Sequence, residues 1–228
     1  MENIKDIFIK NIPIKAGTTT TSLGDMRVLE NRNSLFKKLA IPSFKVLSLK
    51  QIHSADIVEI NTHSDIKTYS QKPADGWLLA TKNCVAYILT ADCVPLFLFD
   101  KTGEVIGLAH CGWKGVVKKL PQILATKIIN HKNFTPPLSA HIAPHINACC
   151  FEVKKDCHKH FNQKNIIKKE GKIFVNLEAE IVDQLKAIGI SKDNISSSNN
   201  CTMCEKNKYF SFRRDGKLES QMSFIINL

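Results

Sequence analysis

Four short apolar segments crowd the middle of the chain and constrain its fold more than any other feature. Residues 77–80, 85–90, 95–99 and 105–109 are rich in β-formers and lie only a few residues apart. Asp100-Lys101-Thr102-Gly103 is a good turn between the last two, which predicts a hairpin. Strands are also expected over 44–49 and 56–60, flanking Gln51-Ile52-His53-Ser54, and over 138–142, 209–212 and 222–226. Helices are expected over 28–39, over 116–130 from the spacing of Val117, Leu120, Leu124 and Ile128, and over 177–188. Asn176 reads as the N-cap of the last helix and Gly189 as its stop, while Pro136-Pro137 closes the unit before it. Helices and strands mix without regular βαβ alternation, which argues for an α+β or layered sandwich architecture rather than a doubly wound sheet.

The chain has 228 residues, enough for one large domain with a substantial core, and no repeat or linker divides it. No run approaches the roughly 18 apolar residues of a membrane span, and the opening residues are neither a secretory signal nor a transit peptide. The expectation is a cytoplasmic protein without membrane attachment, either a monomer or a homodimer. In that setting its eight cysteines are expected to be reduced. A formal charge of +11 invites a nucleic-acid reading, but only Arg27, Arg32, Arg213 and Arg214 are arginines. Phosphate clamps and base readers favour the planar guanidinium, so the scattered lysines are read as a solvated surface with no nucleic-acid partner. Attraction to small anions such as phosphate is compatible with that surface.

Three potential metal ligands fall at the ends of expected strands or in the turns after them: His53, Cys93 and His110. Two imidazoles and a thiolate suit zinc, and three protein ligands leave a fourth tetrahedral position open, as catalytic sites require. Asp92 and Asp75 could accept imidazole N–H groups or act as acid–base groups. Arg213 and Arg214, adjacent after an aromatic-rich segment, and Lys114, before a helix, could hold an anion. Trp113 could pack on a flat ring or in the core. Cys201-x-x-Cys204 resembles half of a zinc knuckle, but no partner pair stands at suitable spacing; Cys111, Cys149 and Cys150 are read as structural. Spacing alone leaves the metal reading one of several.

Several longer motifs occur together and in order. They are Lys50-Gln51-Ile52-His53, Ala74-Asp75-Gly76, Thr90-Ala91-Asp92-Cys93-Val94-Pro95 and Ala109-His110-Cys111-Gly112-Trp113-Lys114-Gly115. Ala143-Pro144-His145-Ile146, Cys150-Phe151-Glu152-Val153, Cys201-Thr202 and Phe210-Ser211-Phe212-Arg213-Arg214-Asp215-Gly216 complete the set. This series resembles the laccase-domain family, also called multicopper polyphenol oxidase-like or YfiH-type. The resemblance implies one domain over 1–228, with 1–30 divergent, built as an α/β/β/α sandwich of two mixed sheets between helical layers. It places zinc ligands at His53, Cys93 and His110.

The activity that the resemblance implies is phosphate-dependent cleavage of purine nucleosides such as adenosine, inosine or methylthioadenosine, with adenosine deamination as a side activity. Purine nucleosides and phosphate are then the partners. Asp92 joins the three ligands as a catalytic group, and Arg213, Arg214, Lys114 and Asp75 are the substrate-binding candidates. The oxidase name fits the composition badly: a multicopper centre needs many His-x-His pairs, and His158 with His160 is the only one. Phenol oxidation is therefore expected only as a copper-loaded reaction in vitro. Two alternatives remain open: a hydrolase or deamidase using Cys93 as nucleophile with His110 as base, and a metal-binding protein that has lost catalysis. The chain lacks the family's Thr-Arg-x-Gly-Gly-Val-Ser stretch near its start and has Leu218-Glu219-Ser220 where Thr-Gly-Arg is usual. Two arginines that could hold an anion are thereby missing.

Overall fold

The computed structural model describes residues 4–7, 12–41, 46–154 and 157–228. Its largest sheet has six strands in the order β12-β9-β7-β8-β5-β4. These are β4 (Ile57–Ile60), β5 (Gly76–Leu79), β7 (Val94–Phe99), β8 (Ile106–Cys111), β9 (Ser139–Ile142) and β12 (Ile195–Ser197). The second sheet, β1-β2-β13-β6-β3, comprises β1 (Ile4–Ile7), β2 (Ile14–Thr19), β3 (Val46–Ser48), β6 (Cys84–Thr90) and β13 (Gln221–Asn227). A separate hairpin pairs β10 (Ile166–Lys169) with β11 (Lys172–Val175). Both large sheets mix parallel and antiparallel neighbours.

Side chains alternate across each strand and divide the core into three slabs. Trp77, Leu79, Phe97, Phe99, Ile106 and Leu108 of the six-stranded sheet meet Ala86, Ile88 and Ile225 of the other sheet. Leu78, Leu96 and Leu98 point the opposite way, onto α4 (Leu120–Ile129) and α5 (Leu177–Ala187). Val85, Met222, Phe224 and Ile226 pack outward on Leu35 and Phe36 of α1 (Leu29–Lys38). The result is the four-layer α/β/β/α sandwich, α+β in class. Because the six-stranded sheet is covered on both faces, its central strands β5, β7 and β8 are buried along their whole length and read as near-continuous apolar runs. The shorter helices α2 (His63–Thr68), α3 (Trp113–Val117) and α6 (Phe212–Asp215) join these layers.

Two expected elements take another form. The helix expected over 116–130 is broken into α3 and α4, with Lys119 left-handed between them at φ +66°. Pro121 has no N–H to continue the helical ladder, so the chain restarts there. The strand expected over 209–212 is instead a loop running into α6, whose N-terminus Ser211 caps by accepting from Arg214 N–H. Residues 44 and 45 of the strand expected over 44–49 lie outside the described residues, and β3 occupies 46–48 of it.

The register brings many loops to one rim of the six-stranded sheet. β7 and β8 pair Pro95 with His110, β5 and β8 pair Gly76 with Ala109, and β4 and β5 pair Ile57 with Gly76. Pro95 O accepts from Ala143 N–H just beyond β9, and β12 runs parallel to β9. The residues before β4, β5 and β7 and after β8, β9 and β12 therefore share that edge.

Candidate metal centre and active site

Cys93 precedes β7, His110 lies near the end of β8 and His53 sits in the loop before β4, so the rim gathers all three. One ligand atom from each lies within 4.8 Å of the others. Cys93 Sγ is 3.9 Å from His53 Nε2, and the two imidazoles stand edge to face with centroids 4.8 Å apart. A tetrahedral zinc with ordinary bond lengths would set sulfur and nitrogen roughly 3.6 Å apart, so this donor set fits such an ion with small adjustment.

Asp75 organises the centre. It is fully buried, and its Oδ1 lies 2.7 Å from His110 Nδ1. Its Oδ2 accepts from Ile52 N–H at 3.2 Å, Ser54 N–H at 2.6 Å and Ser54 Oγ–H at 2.9 Å. One carboxylate thus fixes the His110 ring, leaving Nε2 free to ligate, and also folds the His53 loop. Gln51 pins the same loop to β6, its amide exchanging two 2.8 Å bonds with the Leu89 backbone. His53 itself and Asp92, the neighbour of Cys93, both have left-handed backbones, at φ +58° and +89°. Gly112 completes the packing: a Cβ there would lie 2.7 Å from His53 Cδ2 and 3.2 Å from Cys93 Sγ.

The electrostatics follow from this crowding. Burial alone would raise the Asp75 carboxyl, but hydrogen bonds from His110 and Ser54 overcome it and hold the group at about 2. Burial opposes both charges of the Cys93–His110 pair as well. Their mutual attraction prevails, drawing the Cys93 thiol down to about 6 and, with Asp75, lifting His110 to about 9. Their mutual attraction thus favours the thiolate–imidazolium form of the pair.

The trio opens into a cavity of about 580 Å³, within the range of small-molecule sites. Leu49, Leu89, Phe212 and Leu218 supply apolar wall, Gln51 polar wall, and Arg27 a positive charge. A neighbouring cavity of about 610 Å³ is lined by Trp113, Phe151, His160 and Arg213, among others. Consecutive residues of α6, Phe212 and Arg213, therefore face different cavities.

The substrate-binding candidates fare unequally in this geometry. Asp75 is sealed from solvent with its oxygens committed inside the protein, so it acts as a positioning group. Arg214 is likewise spent on structure: its guanidinium donates to the carbonyls of Thr202, Met203 and Tyr209 and to Asp215. Lys114 is exposed, with Nζ 5.8 Å from the Trp113 ring centroid, and lines neither cavity. Arg213 lines the neighbouring cavity, stacks over Phe151 and donates to Glu152 O. Asp92 accepts from Thr202 Oγ–H and Arg213 N–H, both at 2.7 Å, so its carboxylate binds loops rather than the three ligands. Sequence reasoning missed Arg27, Gln51 and Phe212; the scarcity of arginine was the available signal for Arg27.

A four-layer sandwich with a histidine–cysteine group that could hold a metal on one sheet rim defines the class. The chain belongs to the multi-copper polyphenol oxidoreductase laccase family, whose profile matches residues 17–227. A Clostridium acetobutylicum protein named a purine nucleoside phosphorylase is 36% identical over 189 residues, covering 78% of this chain and 75% of its own. An adenosine deaminase, RL5, from an unknown prokaryotic organism is 27% identical over 204 residues, covering 84% and 78%. The crystal structure of the Bacillus licheniformis hypothetical protein YfiH superposes with a TM-score of 0.85 at 27% identity, covering 94% and 93%. Names among the relatives support an enzyme acting on purine nucleosides.

Proposed function

We propose that this chain is a zinc-dependent purine nucleoside phosphorylase, cleaving adenosine or inosine with phosphate and deaminating adenosine as a side reaction. The observation that carries the reading is the His53–Cys93–His110 donor set on the wall of a cavity large enough for a nucleoside. His53, Cys93 and His110 would hold the zinc, which would supply a Lewis acid at the cavity wall. Asp75 keeps His110 in the ligating tautomer, and Gln51 and Ser54 keep the His53 loop in place. Leu49, Leu89, Leu218 and Phe212 offer apolar surface to the flat purine. Arg27 offers a charge for phosphate in a chain that lacks two arginines usual in its family. In phosphorolysis a phosphate oxygen bonds to the ribose carbon as the bond to the purine nitrogen breaks, and the departing base takes up a proton.

The test is chromatography of adenosine or inosine incubated with metal-analysed protein, with and without phosphate. Free base is expected only with phosphate, and not from His53→Ala or Cys93→Ala. Metal-replete protein that leaves nucleosides intact would overturn the reading. The Cys93–His110 ion pair favours a second one, a cysteine hydrolase or deamidase, which requires turnover by metal-free protein that thiol alkylation abolishes.

A further inference from the structure

The loop after β9 and the loop after β12 leave the sheet side by side because their strands are parallel neighbours. Bridge pairing continues past both strands, with His145 opposite Cys201. This juxtaposition brings Cys149 and Cys150 against Cys201 and Cys204, residues about fifty positions apart in sequence. All four sulfurs lie within 4.8 Å of one another. Cys149 Sγ is 3.5 Å from Cys150, 3.8 Å from Cys201 and 3.8 Å from Cys204, and Cys150 is 3.4 Å from Cys204.

We infer that these four cysteines form a second metal site, a closed tetrathiolate site for one zinc-class ion with a structural role. Three observations agree. Sulfurs at the corners of a zinc tetrahedron stand about 3.8 Å apart, close to the separations here. A disulfide would need about 2.05 Å, and an iron–sulfur cluster, which places its own irons and sulfides between the cysteines, needs a wider cage. The backbone N–H of Asn147 donates to Cys201 Sγ at 3.4 Å, as backbone amides do to the sulfurs of a thiolate knuckle. The missing half of the Cys201-x-x-Cys204 motif is the adjacent pair Cys149-Cys150, which no spacing rule would have matched to it.

The site is wired into the fold. Thr202, inside the knuckle, donates to Asp92, the neighbour of Cys93, and Arg214 clamps the Thr202 and Met203 carbonyls. A metal there fastens the segment carrying α6 to the rim that holds the first centre.

The inference is independent of the activity proposed above, and its test reads metal rather than turnover. Full-length His53→Ala/His110→Ala protein, loaded with zinc and desalted, is expected to keep about one equivalent. Adding Cys149→Ser and Cys204→Ser is expected to remove it. Cobalt added to the histidine variant, with every cysteine in place, should give the strong visible bands and near-ultraviolet charge transfer of a four-sulfur site. No retained metal, retention after the serine changes, or a cobalt spectrum without sulfur charge transfer would each overturn the assignment.

Discussion

At the residue scale, Asp75 carries more of the candidate site than any metal ligand does. It accepts from His110 and from the loop of His53, so one substitution loosens two ligands at once. Asp75→Asn is expected to weaken zinc binding at the first centre about 10–100-fold, measured by competition with a chromogenic chelator. The same carboxyl sets an acid limit. Its folded value near 2 lies below the ordinary 3.8, so its stabilisation is complete above 3.8 and is lost as pH falls through about 2. Thermal melts of metal-free protein should therefore steepen below pH 4, and Asp75→Asn should flatten that limb. Cys93 gives the second readout at this scale. In metal-stripped protein, its alkylation rate followed by peptide mass spectrometry should reach half-maximum near pH 6, and His110→Ala should move that midpoint upward.

At the element scale, α4 lies so close to β8 that Gly107 is a packing requirement. A Cβ at Gly107 would meet Ile128 Cδ1 at 2.8 Å and Leu124 Cδ2 at 3.1 Å. Gly107→Val is expected to destabilise the fold by about 1–3 kcal/mol, read as a lower urea midpoint. Legibility in the sequence followed the same packing. The central strands were readable because burial on both faces leaves an apolar run. β2 was not, because buried Thr18 and Thr19 satisfy their hydroxyls on Ser223 and Met222 and look like surface residues in isolation. The segment 209–212 misled because the Ser211 cap and the Asp92 carboxylate, contacts invisible to alternation, fold its end into α6. The trio His53, Cys93 and His110 was legible from residue chemistry and motif order. Its cavity was not, since Arg27 and Phe212 reach it from segments remote in sequence.

At the scale of the whole molecule, one rim of one sheet carries both candidate ligand sets in strand order. The four cysteines sit at β12 and β9, then Cys93 at β7, His110 at β8, Asp75 at β5 and His53 before β4. Metal binding should therefore act on global stability. Zinc at about 100 times its dissociation constant stabilises by ~2.7 kcal/mol per site, or roughly 5–11 °C in a domain of this size. Chelation is expected to lower the Tm by that order at each centre, and calorimetry of the histidine and cysteine variants would separate the two. The formal charge of +11 favours the approach of anions to the molecule by long-range attraction. The position of β13 has a temporal consequence. It lies between β2 and β6, yet it follows every other described strand in sequence. At about 5–20 residues per second, a nascent chain spends on the order of ten seconds with β6 made and its neighbour still unmade. During that interval the edge of β6 that β13 will cover has no strand beside it, an exposure that the finished sheet removes.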